Sequence, residues 1–344
     1  MTDPALDTLF WPFVTDQLTW PEGGALFLRA RDGWALRQRP WPGLVCEQTF
    51  KPDADALARA GFAVNDESIG TRKFPLVLVL PPRQRAEARA LLARAIEATE
   101  PGGRVICAMS NNEGAKSGEA DLRRLAGTVE VASKNKCRVF WTAPLGDAID
   151  RALLAEWREL DAVRPIEGGR FVSRPGVFAW DRIDIASALL AEHLPADLAG
   201  SAADLGAGFG YLSVELLTRC AGIRALDVYE AERRALDLAR INLASFADRA
   251  RLRFHWHDVA AGLPSTYDVI VTNPPFHAQR GVDRPDIGRR FIAAAAGALR
   301  PRGRLWLVAN RHLAYEGVLT QEFARVRVVA QAHGFKVIEA VAGK

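Results

Sequence analysis

Cysteine is scarce. Cys46, Cys107, Cys137 and Cys220 are the only four in 344 residues, and no two stand at C-x-x-C spacing. That excludes a disulfide framework and a cysteine-built zinc site, and leaves four reduced core thiols. Long apolar runs are missing too: no stretch approaches the roughly 18–20 uninterrupted apolar residues that span a bilayer. The first residues, with Asp3 and Asp7 ahead of Phe10-Trp11-Pro12, lack the basic-then-apolar order of a signal peptide. The expectation is a soluble, cytoplasmic protein with no membrane partner. Charge of one sign is also in short supply, with 45 Lys and Arg against 41 Asp and Glu. Residues 1–165 hold 22 of each sign and residues 166–344 hold 23 against 19, so the whole excess of +4 lies in the second half. A polybasic tail is thereby excluded, and what remains is a modest lean toward an anionic partner such as RNA.

What is present is ordinary globular composition, 49% apolar and 25% charged, at a length that suits two domains of about 150 residues each. The second half alternates strands and helices. Strands are expected over 201–205, 223–229, 251–256, 267–272 and 304–309, with a closing pair over 325–330 and 335–341. Helices are expected over 184–194 behind the N-cap Asp184, after Gly210 with Leu212, Val214, Leu216 and Leu217 on one face, over 231–246 and over 287–299. Such alternation predicts an α/β fold with an open, mostly parallel sheet covered on both faces.

The first half echoes the second. Phe74-Pro75-Leu76-Val77-Leu78-Val79-Leu80-Pro81-Pro82 parallels 267–275, both strands running into Pro-Pro, and an Ala- and Arg-rich helix follows each. Pro101-Gly102-Gly103-Arg104 then parallels Pro301-Arg302-Gly303-Arg304, and the strand exits pair Ser110-Asn111-Asn112 with Ala309-Asn310-Arg311. Two features lack a counterpart: the first copy has no acidic strand end with a G-x-G-x-G turn, and Leu80 stands where Asn273 precedes the prolines. We expect a duplicated domain whose first copy, residues 1–165, has lost its site, and a second copy, residues 166–344, that keeps it.

The chemistry concentrates at strand ends of that second copy. Asp204-Leu205-Gly206-Ala207-Gly208-Phe209-Gly210 places a glycine turn between a strand and a helix, where the backbone bends sharply and can approach a ligand closely. Such a turn also serves dinucleotides or plain packing, so the acidic residues decide. Glu230 ends the second strand and can accept from two ribose hydroxyls, and Asp258, after the third, can accept from an adenine amino group. One acid per strand end around a glycine loop describes a nucleoside pocket. Asn273-Pro274-Pro275-Phe276, after the fourth strand, is the most specific element.

With Asp204 to Gly210, Glu230, Asp258 and Asn273 to Phe276, the chain resembles class I S-adenosylmethionine-dependent methyltransferases that act on exocyclic or amide nitrogens. The resemblance implies two tandem Rossmann-like domains, the first degenerate, and S-adenosylmethionine as cofactor. Asp204, Gly206, Ala207, Gly208, Gly210, Glu230, Asp258 and Asn273 would bind the cofactor. Asn273, Pro274, Pro275 and Phe276 would serve catalysis. The Asn273 side-chain carbonyl and the Pro274 backbone carbonyl would each accept an N–H of a poorly nucleophilic aryl amine, Pro275 would keep the turn rigid, and Phe276 would stack on the substrate. No metal is required.

Phe178, Asp181-Arg182-Ile183-Asp184, His277, Val308-Ala309-Asn310 and Ser133-Lys134-Asn135-Lys136 resemble, more narrowly, the bacterial ribosomal RNA guanine-N2 methyltransferases of the small-subunit (16S) RsmC type. Ala207, Phe209 and Ala186 depart from that pattern. The implied activity is methylation of guanine N2 in 16S rRNA, with ribosomal RNA in the 30S subunit as partner and a monomeric enzyme. The alternatives are guanine N2 of 23S rRNA, a release-factor glutamine amide, or a non-catalytic RNA-binding assembly factor. Arg280, Arg284, Arg289 and Arg290, and separately Lys134, Lys136 and Arg138, are candidate phosphate contacts. His255 and His257 alternate on a strand without a third metal ligand. Trp11, Trp20, Trp34 and Trp41 gather early in the chain, as core anchors or as base-stacking residues.

Overall fold

The computed structural model describes residues 3–65, 70, 72–275, 285–313 and 315–343. It divides into two compact units, Met1–Ala162 with Arg174–Gly176 and Val163–Ser173 with Val177–Lys344.

Seven strands make the sheet of the first unit: β1 (Ala25–Leu28), β2 (Leu44–Glu47), β3 (Val64–Asn65), β4 (Phe74–Val79), β5 (Thr99–Ser110), β6 (Val129–Lys134) and β7 (Cys137–Thr142). Their order among the described residues is β3-β2-β1-β4-β5-β7-β6, with β7 running against its neighbours. A hairpin, β8 (Arg164–Ile166) and β9 (Phe171–Ser173), opens the second unit. Seven more strands follow: β10 (Ala199–Leu205), β11 (Gly222–Glu230), β12 (Arg251–Trp256), β13 (Tyr267–Thr272), β14 (Leu299–Asn310), β15 (Arg325–Ala332) and β16 (Phe335–Val341). Their order is β12-β11-β10-β13-β14-β16-β15, with β16 antiparallel. Numbered within its own sheet, each unit has the same strand order, and the mostly parallel α/β expectation holds in both.

Alternation along the strands explains the layers. In β13, Val269 and Val271 enter one core with Leu190, Leu216 and Leu236 from the helices on that side. Ile270 enters the opposite core with Phe291, Ile292 and Ala295 of the helix Pro285–Ala298. Burial of both faces makes the strand read as a continuous apolar run. The four cysteines are buried and free. Burial pushes the Cys46 thiol up to about 12 and raises Cys107 as well, so neither is a thiolate at neutral pH.

Register turns the internal echo into a residue-by-residue correspondence. Leu76 pairs with Arg104 as Val269 pairs with Arg304, and Leu28 pairs with Glu47 as Leu205 pairs with Tyr229. The long strands β5 and β14 share one burial pattern over all 12 residues. Phe27 therefore stands in the place of Asp204, Gln48 in that of Glu230 and Leu80 in that of Asn273.

The same register corrects one expectation. Counting from Arg104 and Arg304, Ser110 matches Asn310 and not Ala309, because the two strands are equally long. Two elements also differ from expectation by more than two residues at a boundary. The helix expected over 231–246 is the helix Arg233–Asn242 followed by a 3-10 turn, Ala244–Phe246. Glu232 is its N-cap, accepting from the Arg234 amide, and Leu243 ends it near φ −97° and ψ −2°. The strand expected over 304–309 begins at Leu299, because β14 takes up the turn around Pro301.

Candidate functional site

The strand order of the second unit reverses between β10 and β13, so the loops leaving their carboxyl ends part and leave a crevice. Phe178, Ala179, Asp184, Ser187, Gly206, Ala207, Gly208, Phe209, Tyr211, Leu212 and Asn273 line it. Of the residues picked out by sequence, Phe178, Asp184, Gly206, Ala207, Gly208 and Asn273 line it, and Asp204, Gly210 and Glu230 stand behind that lining. Phe276 and His277 lie outside the described residues, as do Arg280 and Arg284.

Asn273 is the focus. Its Nδ2 donates to Asp184 Oδ2 at 2.9 Å and to Ser187 Oγ at 2.8 Å. A carboxylate only accepts, so Asp184 dictates which end of the amide faces it. Asp184 is itself fixed as the N-cap of the helix Ile185–Glu192, accepting from the Ser187 amide at 2.9 Å. The amide oxygen is left buried, with no hydrogen-bond donor among the described residues. Pro274 beside it is buried and Pro275 is exposed. A buried acceptor without a donor is costly unless a ligand supplies one.

Asp204, at the neighbouring strand end, repeats the pattern. It is fully buried, Ser213 Oγ donates to its Oδ2 at 2.7 Å, and its Oδ1 has no donor among the described residues. Burial pushes this carboxyl up to about 7, with the Ser213 bond opposing the rise and Glu230 adding to it. Glu230 is also raised, by burial first. The Gly208 amide donates to its Oε2 and the Glu232 amide to its Oε1, both at 2.8 Å. Each oxygen keeps a lone pair for a ligand hydroxyl, and the carboxylate clamps the glycine loop besides.

The loop glycines divide the work. A Cβ on Gly208, at φ 58°, would meet nothing within 4 Å, so this backbone is open to a ligand. A Cβ on Gly210 would press on Ala239 at 3.2 Å, so that glycine lets two helices approach. Asn242 braces the turn from below, donating to the Phe209 carbonyl at 2.8 Å and to Val172 of β9 at 3.0 Å.

Asp258 does not line the crevice. It stands two residues beyond β12 and accepts from the Ala260 amide at 2.9 Å, capping the 3-10 turn Val259–Ala261. Arg290 is tied to that turn through the Ala260 carbonyl at 2.7 Å. His255 stacks on Tyr229 at 4.5 Å, and His257 Nε2 bonds the Gly262 carbonyl at 2.7 Å. Among the described residues no three His, Cys, Asp or Glu side chains gather where a metal could be held. In the first unit, Arg138 is paired with Glu119 and Lys134 lies over Trp11.

From the sequence, Asp184 is a helix cap and part of the motif Asp181-Arg182-Ile183-Asp184, with no role assigned toward Asn273, and Ser187, Ser213 and Asn242 carry no role at all. A serine at the third helical position behind an Asp cap is a usable signal for Ser187. Ser213 and Asn242 become visible only once strand and helix are placed together.

The raised Asp204 carboxyl has a pH signature. Unfolded, it ionises near its ordinary 3.8, whereas folded it holds its proton to about 7. The unfolded chain therefore loses this proton first, and the group costs stability as pH rises through that window, with no further change above it. Asp204→Asn removes the titration. The melting-temperature gap between the two proteins should move in favour of the variant from pH 4 to pH 7 and then level off. A gap independent of pH contradicts the assignment.

Comparison with known proteins places this geometry. Residues 168–339, half of the chain, match the family described as methyltransferase small domain. The chain is 26% identical over 289 residues to a "Ribosomal RNA small subunit methyltransferase C" of Psychromonas ingrahamii, covering 83% of this chain and 81% of that protein. Over 170 residues it is 37% identical to a "Ribosomal RNA large subunit methyltransferase G" of Alcanivorax borkumensis, covering 49% of this chain and 43% of that one. Among solved structures, the T. Thermophilus 16S rRNA N2 methyltransferase RsmC, in complex with AdoMet and guanosine, aligns with a TM-score of 0.81 at 26% identity. That alignment covers 99% of this chain and 92% of the other, so both sheets are shared. With the family match falling on the unit that carries Asp204, the glycine loop and Asn273, the chain belongs to the methyltransferase small domain family.

Proposed function

We propose that this protein transfers a methyl group from S-adenosylmethionine to the exocyclic N2 amine of a guanine in 16S rRNA, as a monomer acting on the small ribosomal subunit in the cytoplasm. Residues 166–344 are the catalytic domain in this reading, and residues 1–165 are the degenerate partner. The observation that carries it is the Asn273 amide, held by Asp184 and Ser187 with its carbonyl oxygen buried and lacking a donor.

The chemistry asks for that acceptor. An aryl amine is a weak nucleophile because its lone pair is delocalised into the ring. Two carbonyls, from the Asn273 side chain and the Pro274 backbone, accept its two N–H bonds and hold the nitrogen with its lone pair free to attack. The Asn273 contact strengthens as positive charge develops on that nitrogen, so it favours the transition state over the bound substrate. Pro275 keeps the turn from relaxing, and Phe276 gives the base a face to stack on. Bound S-adenosylmethionine supplies a methyl already activated by its sulfonium, so the reaction needs neither a metal nor a strong general base.

The residues fit that cofactor. Asp204 is a buried carboxyl and Glu230 a half-buried one, both with lone pairs to offer, which suits a cationic ligand carrying ribose hydroxyls. Gly206, Ala207, Gly208 and Gly210 line or shape the open loop, and Asp258 is the acceptor furthest along the sheet. The relative from Alcanivorax borkumensis favours a second reading, guanine N2 of 23S rRNA, but it matches half of the chain only. The 16S reading draws on likeness over both sheets.

Asn273→Ala removes the positioned acceptor and should lower kcat by on the order of 10²–10³, while the affinity for S-adenosylmethionine measured by calorimetry falls far less, because Asp204, Glu230 and the glycine loop remain. Normal turnover by this variant rejects the proposed role. To identify the substrate, the protein is incubated with methyl-tritiated cofactor and, separately, 30S subunits, 50S subunits and naked rRNA, followed by nucleoside analysis. Label should appear as N2-methylguanosine from 16S rRNA in 30S subunits. Label in 23S rRNA, on adenine or on protein rejects the reading.

A further inference from the structure

The first unit keeps the frame of the cofactor loop but not its contents. The Ala30 amide donates to the Glu47 carbonyl at 3.0 Å, as the Ala207 amide donates to the matching Tyr229 carbonyl at 3.1 Å. Gln48 accepts from the Phe50 amide at 2.8 Å, as Glu230 accepts from the Glu232 amide at 2.8 Å, and its other end reaches the loop at Ala30. Arg29 even retains a left-handed backbone, φ 54° against 73° for Gly206. Both loops reach a helix after the same number of residues, at Trp34 and at Tyr211. Within that frame Phe27 and Leu80 replace Asp204 and Asn273, removing the acceptors a nucleoside needs. The loop Gly-Ala-Gly-Phe-Gly-Tyr has become Arg29-Ala30-Arg31-Asp32-Gly33-Trp34.

The rewritten loop presents an indole to solvent. Trp34 is 70% exposed, whereas Trp141, Trp157 and Trp306 are buried, and Trp20 and Trp41 sit in an aromatic cluster with Phe10 and Phe13. Around it, residues 29–39 hold four arginines against one aspartate. Arg29 is anchored on Glu87 at 2.8 Å, Arg31 on Asp3 at 3.2 Å and Arg37 on Asp32, so their guanidiniums are held in place on the loop. A guanidinium has five N–H donors, and one carboxylate does not exhaust those of the more exposed Arg29 and Arg37. A protein interface needs an apolar surround to exclude water from a tryptophan anchor. Here Ala35 and Leu36, which follow Trp34 in the chain, are buried, and the exposed residues beyond them are Arg37, Gln38 and Arg39. An exposed indole on a loop that also carries arginines suits an unpaired base flanked by phosphates.

We propose that the loop 29–34 of the first unit is a docking platform for single-stranded RNA, with Trp34 stacking on an unpaired base and the neighbouring arginines facing its phosphates. This rests on RNA being the substrate, and it gives the degenerate unit a binding task on the rewritten remains of its cofactor loop.

The test is fluorescence anisotropy of the full-length protein with a short fluorescein-labelled oligoadenylate, alongside calorimetric titration of S-adenosylmethionine into each variant. Trp34→Ala should weaken RNA binding about 10-fold, and Trp34→Phe, which keeps a ring, should retain most of the affinity. Cofactor affinity should be unchanged in both, which shows that the second unit remains folded. Equal RNA affinity in Trp34→Ala and the parent overturns the platform, and so does a loss in Trp34→Phe as large as in Trp34→Ala. The readout is binding, so absence of methyl transfer to guanine would count against the proposed activity and leave this result standing.

Discussion

The adjacency of β10 and β13 at the point where strand order reverses is the constraint on which the rest depends. Parallel strands feeding helices on opposite faces part there and leave a crevice where loops from two strands face each other across a gap. Asp204 stands near the end of one of those strands, fully buried, and Asn273 follows the other and lines the crevice, and an oxygen of each has no hydrogen-bond donor among the described residues. A ligand that donated to those oxygens would remove the cost of leaving them unpaired.

What separates the crevice of the second unit from the matching position in the first is the hydrogen bonding around one amide. Asp184 and Ser187 hold the donor end of Asn273, which commits the acceptor end to the crevice. In the first unit Leu80 and Phe27 stand at the matching positions, both buried and apolar, so the same strand order closes into plain core. Fold and function come apart here: the sheet order survives duplication, while the site depends on a few polar side chains and the helix cap that orients them.

Much of the fold was legible because its signals are local. The apolar runs of β4 and β13 ending in Pro-Pro, the glycine turn after Asp204 and the Asp184 cap each name an element by rules that need no tertiary context. The residues of the site could be listed for the same reason. Their arrangement could not. That Asn273 turns its carbonyl inward depends on Asp184, 89 positions away in the chain. That Glu230 clamps Gly208, and that Asp258 stays out of the crevice, follow from packing between strands. The one-residue offset at the exit of β5 arose because composition near Ser110 resembled Ala309-Asn310, whereas backbone pairing counts residues and ignores their type. Trp34 shows the same limit: its sequence neighbours say loop, but only the fold shows that this loop occupies the position of the glycine turn.

The central claim is that one methyltransferase fold occurs twice in this chain and that only the second copy retains the polar groups of a cofactor site. Isothermal titration of S-adenosylmethionine tests it most directly, by counting sites in the full-length protein and in a variant combining Asp204→Ala with Glu230→Ala. The account predicts one molecule bound per chain in the parent and none in the variant. Two molecules per chain, or one retained by the variant, would contradict it.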